Sequence, residues 1–417
     1  MIKKMDLARR TLVFIMAGGK GQRLYPLTRD RAKPAVPFGG IYRIIDFTLS
    51  NCLNSDIRRI YILTQYKSIS LERHIHLGWN VFNRELGEFI TIIPAQQRVD
   101  DSWYQGTADA LFQNIYSIER EKPEWVLILA GDHIYKMDYE EMIKFHIENK
   151  AEVTVGAVDV PKSKAFSQLG VLVANEKHEI VNFVEKSSQP PTLPGKPNTC
   201  LASMGIYIFN RQFLEDIVTA DHEIRDSEHD FGRNIVPSLV GHHKIYAYDF
   251  KDENKKEAKY WRDIGTLDAY WEANMDLVAV DPIFNLYDQD WPIHTYQEQY
   301  PPVKTVFAQM EQGGRLGIAM DSLVSQGSII SGGRVERSLL SPGVRINSYT
   351  HVFESIIMDG AEIGRHVRLR RVIVDKYVKI PDGMTIGYDL EKDKKLFTVS
   401  EGGVVVVPKE MPLEGIG

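Results

Sequence analysis

The sequence is poor in cysteine, in long apolar runs and in excess positive charge, and each shortage excludes a class of protein. Only two cysteines, Cys52 and Cys200, occur in 417 residues, so a disulfide framework is not expected and a reducing cytoplasm fits best. No apolar run approaches the roughly 18–20 residues that cross a membrane. The net charge of −6 gives no general attraction to nucleic acid or to an anionic membrane. Any anion-binding site must therefore be local.

What the chain does contain predicts a large globular α/β protein. Hydrophobic residues make up 43% and charged residues 25% of the sequence, which is typical of a globular chain of about two or three domains. From residue 11 to about 285, short apolar runs alternate with longer amphipathic stretches, as in an α/β sheet. Buried strands are predicted at Val126–Ala130, Val153–Val158 and Ile206–Phe209. The proline-rich segment 188–197 is predicted to be a loop.

The pattern changes after about residue 316, where glycine and serine become frequent and aliphatic residues recur at intervals of six. The recurring residues are Val324 and Ile330, Ile346 and Val352, Ile357, Ile363 and Leu369, and Val374, Ile380 and Ile386. A six-residue period is typical of a parallel β-helix, and a β-sandwich with irregular strands is the alternative. We therefore expect an α/β domain at 1–285, a linker at 286–315 and a β-helix at 316–417.

The most informative segment is residues 13–38. The apolar run Val13–Met16 predicts a core strand, and three glycines follow it, Gly18, Gly19 and Gly21. Glycines there allow backbone N–H groups to surround a phosphate. Two cations come next, Arg23 and Lys33. Backbone donors and fixed cations suit a polyphosphate that is held while its α-phosphorus is attacked.

Other glycine-rich motifs fail on spacing. A Walker loop needs Gly-Lys-Ser/Thr after its second glycine, but Gln22 follows Gly21. A dinucleotide fingerprint needs a third glycine where Leu24 stands. The remaining alternative is an ordinary strand-to-loop turn, which the added cations disfavour.

Four further motifs present side chains suited to this chemistry. Asp132 ends the apolar run at 126–130, where a carboxylate can hold Mg²⁺ at the edge of a parallel sheet or simply cap a turn. Asp263 precedes a glycine and offers a second acid. Glu185 and Lys186 end another predicted strand. The alternative interpretation of these two residues is a surface ion pair. In the segment 103–110, Gly106 allows close approach to a flat base, although its aromatic neighbours also suit core packing.

The motif Gly18-Gly19-Lys20-Gly21-Gln22-Arg23-Leu24, followed by Lys33-Pro34, resembles the signature of the sugar-nucleotide pyrophosphorylases. The longer runs at 31–40 and 43–52 are similar to the bacterial members that use ATP, and the resemblance extends from about residue 10 to the C-terminal region. It implies a Rossmann-like nucleotidyltransferase domain with a mixed, mostly parallel sheet, followed by a left-handed parallel β-helix. It also implies synthesis of ADP-glucose and pyrophosphate from ATP and α-D-glucose 1-phosphate, with Mg²⁺, for glycogen or a related α-glucan.

The resemblance also implies roles for individual residues. ATP would be bound by Gly18, Gly19, Gly21, Arg23, Lys33, Gln65 and Gly106. Glucose 1-phosphate would be bound by Tyr104, Gly170, Glu185, Lys186, Ser203, Tyr207 and Asp230. The metal would be bound by Asp132 and Asp263, which join Arg23 and Lys33 as the catalytic residues. The nucleophile is already an anion, so no general base, Ser-His-Asp triad or cysteine nucleophile is required, and the histidine spacing indicates no zinc site.

Proteins of this kind are usually allosteric tetramers controlled by phosphorylated small molecules, so a homotetramer with such effectors is implied. Arg31 and Arg43, with the cluster Arg368, Arg370 and Arg371, are candidates for an anion site between the domains; solvated surface arginines are the alternative. The enteric subtype activated by fructose 1,6-bisphosphate has lysine at position 30 and histidine at position 37. Here Asp30 and Pro37 stand instead, so strong activation by that ligand is not expected.

Three alternatives stay open at this point. The nucleotide could be UTP or dTTP, with the same sugar phosphate. The chain could be a regulatory subunit with poor turnover, which the intact Arg23, Lys33, Asp132, Lys186 and Asp263 disfavour. An acyltransferase is the third, because six-residue β-helices often serve that chemistry, but His351 and His366 form no catalytic motif.

Overall fold

The computed structural model describes residues 4–96, 103–311 and 313–413. The helices are α1 Lys4–Arg10, α2 Ile44–Asn54, α3 Ile69–Gly78, α4 Thr107–Phe112, α5 Ile115–Glu121, α6 Tyr139–Glu148, α7 Lys162–Ala165, α8 Arg211–His222, α9 Val236–Leu239, α10 Leu267–Asp276 and α11 Leu390–Asp393. Short 3₁₀ turns occur at Gln22–Leu24, Lys33–Ala35 and Arg84–Leu86, and a π turn at Phe231–Ile235. Within the described ranges, none of these helices combines the length and the apolar character needed to span a bilayer.

In the described part of the first 263 residues there are thirteen strands, and most of them build one mixed sheet. They are β1 Thr11–Met16, β2 Pro37–Phe38, β3 Tyr42–Arg43, β4 Arg59–Thr64, β5 Phe89–Pro94, β6 Trp125–Ala130, β7 His133–Tyr135, β8 Val153–Pro161, β9 Gly170–Ala174, β10 Ile180–Glu185, β11 Thr199–Asn210, β12 Ile245–Asp249 and β13 Trp261–Asp263. The nine-stranded sheet has the order β10-β9-β11-β6-β1-β4-β5, and β8 links β11 to β12. Strands β1, β4, β5 and β6 are parallel, whereas β11 runs antiparallel to β6, β8 and β9.

The central position of β1 follows from its composition. Alternate side chains of a strand point to opposite faces, and both faces of β1 are apolar. Val13 and Ile15 pack into one core, and Leu12 and Phe14 pack into the other. The predicted strands at 126–130, 153–158 and 206–209 all lie in this sheet, within the longer β6, β8 and β11. The predicted mixed α/β sheet is thus confirmed.

Sixteen short strands follow and form three sheets that wind into a β-helix. They are β14 Lys304–Val306, β15 Ile318–Met320, β16 Leu323–Val324, β17 Ile329–Ser331, β18 Arg334–Glu336, β19 Leu339–Leu340, β20 Arg345–Ile346, β21 His351–Phe353, β22 Ile356–Ile357, β23 Glu362–Ile363, β24 Arg368–Arg370, β25 Val372–Val374, β26 Lys379–Ile380, β27 Thr385–Ile386, β28 Thr398–Val399 and β29 Val405–Val407. Among these described strands, the pairings between successive coils are parallel, and β28 pairs antiparallel with β29. These three sheets confirm the predicted parallel β-helix.

The six-residue period arises because the chain turns one corner every five or six residues. Ile346, Ile363 and Ile380 are register partners on one sheet, each separated from the next by one coil. Their side chains are at most 2% exposed, so each coil buries its aliphatic residue on the next. The first strand of the β-helix, Lys304–Val306, pairs with β17. This strand lies within residues 286–315, the segment predicted as a linker.

The third sheet of the β-helix, β16-β19-β22-β25-β29-β28, also packs on the α/β domain, and we call it the shared sheet. Leu340 and Ile357 point into the coil interior. Leu339 and Ile356, one position earlier, belong to a core with Phe47 and other residues of the α/β domain. Burial of each such side chain contributes about 1.5–3 kcal/mol, so the domain contact is a continuation of the hydrophobic core.

Candidate active site

A cavity of about 250 Å³ opens beyond the C-terminal ends of β1 and β6, where ligands bind in open α/β sheets. It brings together eight residues that the sequence predicted for the site. These are Arg23, Gly170, Glu185, Lys186, Ser203, Tyr207, Asp230 and Asp263. They come from separate parts of the chain, so the fold assembles a single site from distant motifs.

Two carboxylates meet at one wall of this site because β7 pairs antiparallel with β13. This pairing sets Asp263 opposite His133, directly after Asp132. The Lys33 ammonium lies between the carboxylates, with Nζ 2.5 Å from Asp132 Oδ2 and 3.4 Å from Asp263 Oδ1. Burial raises the pKa of Asp132, but the charges of Lys33 and His133 outweigh it and hold this pKa below its usual value. Asp132 is therefore ionised at neutral pH.

The same carboxylates influence the lysine. Burial lowers the pKa of Lys33, whose side chain is only 12% exposed, but Asp132 and Asp263 raise the pKa above its ordinary value. A charged ammonium is thus held between the two carboxylate groups. Arg23 lies at the same wall, near Asp263. A Cβ added at Gly265 would lie 3.3 Å from Arg23 Nη2 and 3.4 Å from Asp263 Oδ2, so both side chains border the same position.

His133 is a member of this cluster that sequence reasoning missed. Its Nε2 lies 3.6 Å from Asp132 Oδ1 and 3.8 Å from Asp263 Oδ1. One ligand atom from each of the three residues lies within 4.8 Å of the others. Converging carboxylate oxygens are the donors that Mg²⁺ takes, so the residues fit this ion. The available signal was the position of His133 next to a strand-terminal aspartate.

The opposite side of the cavity is formed around Glu185. Its Oε1 pairs with Lys186 Nζ at 3.2 Å, and the lysine side chain remains 47% exposed. A Cβ at Gly170 would lie 2.5 Å from Glu185 Oε2, so only glycine leaves room for this carboxylate. Lys186 is therefore a cation available to a ligand in the cavity.

Asp230 lines the cavity but is held by hydrogen bonds of its own. Its carboxylate accepts from Thr107 Oγ1 at 3.1 Å, and from the backbone N–H groups of Gly232 and Arg233 at 2.9 and 3.1 Å. These bonds cap the π turn and connect it to α4. Thr107, which also lines the cavity, was not predicted from the sequence.

Another group of predicted residues lies outside the cavity. Tyr104, expected to bind glucose 1-phosphate, lies beside Gln65, whose Nε2 is 3.4 Å from the Tyr104 carbonyl oxygen. A Cβ at Gly18 would be 3.4 Å from Gln65 Cβ. The glycine-rich loop, Gln65 and Tyr104 thus form a second part of the site.

Glycine occurs at the positions of this second part for different structural reasons. Gly21 has φ +62°, and a Cβ there would lie 3.0 Å from Thr28 Cγ2. A Cβ at Gly106 would collide with the carbonyl oxygens of Glu228 and His229. Gly19 has open space around it. Gly106 is therefore required by packing, whereas Gly19 leaves its backbone accessible to a ligand.

A larger cavity of about 540 Å³ lies between the domains, where Arg31 and Arg43 meet Lys376 of the β-helix. Arg31 is 7% exposed, and its Nη2 donates to both Asp375 oxygens at 2.9 and 3.0 Å while Nη1 is buried without a partner. Arg43 Nη1 donates to the Ala35 carbonyl at 2.6 Å. Burial lowers the pKa of Arg43.

The other arginines predicted for this anion site lie elsewhere. The guanidinium of Arg371 stacks 4.3 Å from the Trp271 ring centroid, and that of Arg368 lies 4.5 Å from the Tyr388 ring. Arg370 is exposed. Neither Arg370 nor Arg371 lines the cavity. Arg370 ends β24, which belongs to a sheet other than the shared sheet, and Arg371 lies at the corner between β24 and β25.

Comparison with known proteins agrees with this architecture. A nucleotidyl transferase family matches residues 12–279, and a GlmU-like C-terminal hexapeptide family matches residues 301–407. A Rhodopirellula baltica protein named glucose-1-phosphate adenylyltransferase is 56% identical over 405 residues, which cover 97% of this chain and 91% of the relative. Relatives of the same name from Koribacter versatilis and Methylococcus capsulatus are 54% and 51% identical. The Koribacter match covers 97% of this chain and 96% of the relative, and the Methylococcus match covers 96% and 94%.

Matches of this extent and identity include both domains and every segment that lines the site. The family predicted from the glycine-rich motif is confirmed. The chain belongs to the nucleotidyl transferase family and, within it, to the glucose-1-phosphate adenylyltransferases.

Proposed function

We propose that the chain makes ADP-glucose and pyrophosphate from ATP and α-D-glucose 1-phosphate, for synthesis of glycogen or a related α-glucan. The observation that carries this proposal is the arrangement of Lys33, Asp132 and Asp263 beside a cavity that also contains Glu185 and Lys186. One side offers cations and carboxylates for a triphosphate with its metal. The other offers a cation for a phosphate and an acceptor for sugar hydroxyls.

In this reaction a phosphate oxygen of glucose 1-phosphate attacks the α-phosphorus of ATP in line. The bond from that phosphorus to the bridging oxygen of the β-phosphate breaks, and pyrophosphate leaves. Mg²⁺, held by Asp132 and Asp263, would neutralise charge on the phosphate oxygens. Arg23 and Lys33 hold the triphosphate, and Lys186 orients the attacking phosphate while Glu185 accepts from the sugar. Catalysis then consists of positioning and charge neutralisation.

We predict that ATP is preferred at least tenfold over UTP, dTTP, GTP and CTP, a difference of about 1.4 kcal/mol. Gln65, beside the glycine-rich loop, is the candidate for contact with the adenine edge. The measurement is pyrophosphate release from glucose 1-phosphate and Mg²⁺ with the five nucleotides in parallel. A preference for UTP or dTTP would contradict the assignment of adenine as the bound base but would leave the proposed mechanism unchanged. No release with any nucleotide would favour a regulatory subunit.

The proposal includes regulation by a phosphorylated small molecule that binds in the cavity between the domains. The support is the buried, unpartnered Nη1 of Arg31, together with Arg43 and Lys376 at the same cavity. Asp30 also lines it, and its negative charge disfavours strong activation by fructose 1,6-bisphosphate. A homotetrameric assembly and a cytoplasmic location belong to the same proposal, and the two buried, unpaired cysteines suit a reducing compartment.

Arg43→Ala is expected to raise the effector concentration for half-maximal response about tenfold, since it removes a cation from the cavity. Phosphate, AMP and fructose 1,6-bisphosphate are the probes, and the readout is the rate ratio with and without each. Arg370→Ala is the matched control, because Arg370 is exposed and lies outside the cavity. An equal response change in both variants, or none in Arg43→Ala, contradicts the assignment.

A further inference from the structure

We propose that the Lys33 ammonium occupies the position of the divalent cation in the nucleotide-free protein, so that the metal binds tightly only after a triphosphate draws the lysine away. This inference rests on the proposed function, because it uses the same carboxylates. It adds a property that the reaction itself does not require: a built-in low affinity for free metal.

The geometry is that of a cation already coordinated. Lys33 Nζ is within hydrogen-bond distance of Asp132 Oδ2 and reaches Asp263 Oδ1 at 3.4 Å. The same two groups would have to approach Mg²⁺ at about 2.0–2.1 Å. A divalent ion placed between them would lie in contact with the ammonium, and like charges at such a distance repel strongly. The lysine and the metal therefore exclude each other from this position.

The charge balance points the same way. Lys33 places one positive charge between the two carboxylates, and His133 brings a ring nitrogen to within 3.8 Å of an oxygen of each. Without Lys33, a metal ion would face one positive charge fewer. Loss of the lysine charge should therefore raise metal affinity, although Lys33 is itself predicted to serve catalysis.

A bound nucleotide would offer the Lys33 ammonium other hydrogen-bond acceptors nearby. Lys33 begins the 3₁₀ turn Lys33–Ala35, and its Cβ lies 3.2 Å from the position of a Cβ at Gly21. Its flexible stem therefore begins beside the glycine-rich loop that is predicted to hold the triphosphate. Phosphate oxygens offer the ammonium new acceptors, which leaves Asp132 and Asp263 free for the metal.

The test is a titration of the full-length protein with Mn²⁺ in the absence of nucleotide, with free Mn²⁺ measured by electron paramagnetic resonance. Lys33→Met and Lys33→Gln are each expected to bind Mn²⁺ at least about tenfold more tightly than wild type. Lys33→Arg retains the charge and is expected to match wild type. Lys20→Met is the matched control, because Lys20 is exposed on the glycine-rich loop and its ammonium lies over the Tyr66 ring. The gain should vanish in Lys33→Met combined with Asp132→Asn.

The outcomes separate this inference from the proposed function. Equal Mn²⁺ affinity in wild type and in both neutral variants overturns it, as does a gain that persists in the double variant. In a second measurement, Mn²⁺ is added to wild type with ATP and no sugar phosphate. The protein should then bind the metal, which is seen as enhanced water-proton relaxation. No enhancement would overturn the inference that a triphosphate draws the lysine away from the metal position. Pyrophosphate release by wild type is measured separately, so an active enzyme without the Mn²⁺ effect refutes the lysine exchange alone.

Discussion

Asp132→Asn is expected to lower kcat for pyrophosphate release about a thousandfold, with little change in the folded structure. Asparagine has nearly the same shape but lacks the charge that pairs with Lys33 at 2.5 Å. One of the two carboxylates that are proposed to hold the metal is thereby removed. Loss of a single group that stabilises transition-state charge typically costs about 10²–10³ in rate. A thousandfold loss corresponds to about 4 kcal/mol in the activation free energy.

The measurement is steady-state pyrophosphate release at saturating ATP and glucose 1-phosphate, with circular dichroism to verify folding. Asp290→Asn serves as the matched control, because that carboxylate is exposed on the surface and its loss changes the net charge equally. A decrease of less than tenfold in the folded Asp132 variant would refute the role of this residue. An equal decrease in both variants would indicate a general electrostatic effect.

The second large effect is expected on stability, from Asp46→Ala. Asp46 is fully buried in α2, and four groups donate to its carboxylate. These are His74 Nε2 at 2.6 Å, Trp79 Nε1 at 2.9 Å, the Arg43 backbone N–H at 2.8 Å and Thr295 Oγ1 at 2.7 Å. The carboxylate thus joins the start of α2, the α3 region and the segment that leads to the β-helix.

Removal of this carboxylate leaves several buried donors without an acceptor, and breaking such an arrangement costs about 3–5 kcal/mol. We expect the free energy of unfolding to fall by that amount, seen as a lower denaturant midpoint. Asp216→Ala is the comparison, because this carboxylate is on the exposed face of α8, where it accepts from Gln212 in a solvent-exposed bond. Its effect should stay within about 0.5 kcal/mol. Similar midpoints for the two variants would contradict the role of Asp46.

The parts of the fold that could be predicted from the sequence are those with a strong local pattern. The apolar run at 13–16 and the six-residue repeat after 316 determine which residues are buried, whatever the rest of the chain does. Strand β14 carries no such signal, because Lys304 and Thr305 are exposed, so its place in the β-helix could not be recognised. Strand β11 extends beyond its predicted core at 206–209 because tertiary pairing with β8 continues to Thr199.

The candidate site shows the same division. Asp132 could be predicted because it follows an apolar strand, at the edge where ligands bind in α/β sheets. Asp263 is paired with it only through the family resemblance, since its approach, like that of His133, depends on the pairing of β7 with β13. Arg31 and Arg43 reach the cavity between the domains, whereas Arg370 and Arg371 do not. The β-helix residues that line the cavity follow strands of the shared sheet, as Lys376 follows β25, whereas Arg370 and Arg371 precede β25. A repeat that is similar on all three sheets does not indicate which of its corners faces the cavity.

The shared sheet has a consequence for how this chain can change during evolution. Leu339 and Leu340 are neighbours in sequence, yet one belongs to the core of the α/β domain and the other to the interior of the coil. A one-residue insertion before them would exchange the two sets of side chains and disturb both cores at once. Deletion of the β-helix would expose the apolar surface formed around Phe47. The two domains are therefore constrained to be inherited together, unlike modules joined by a linker.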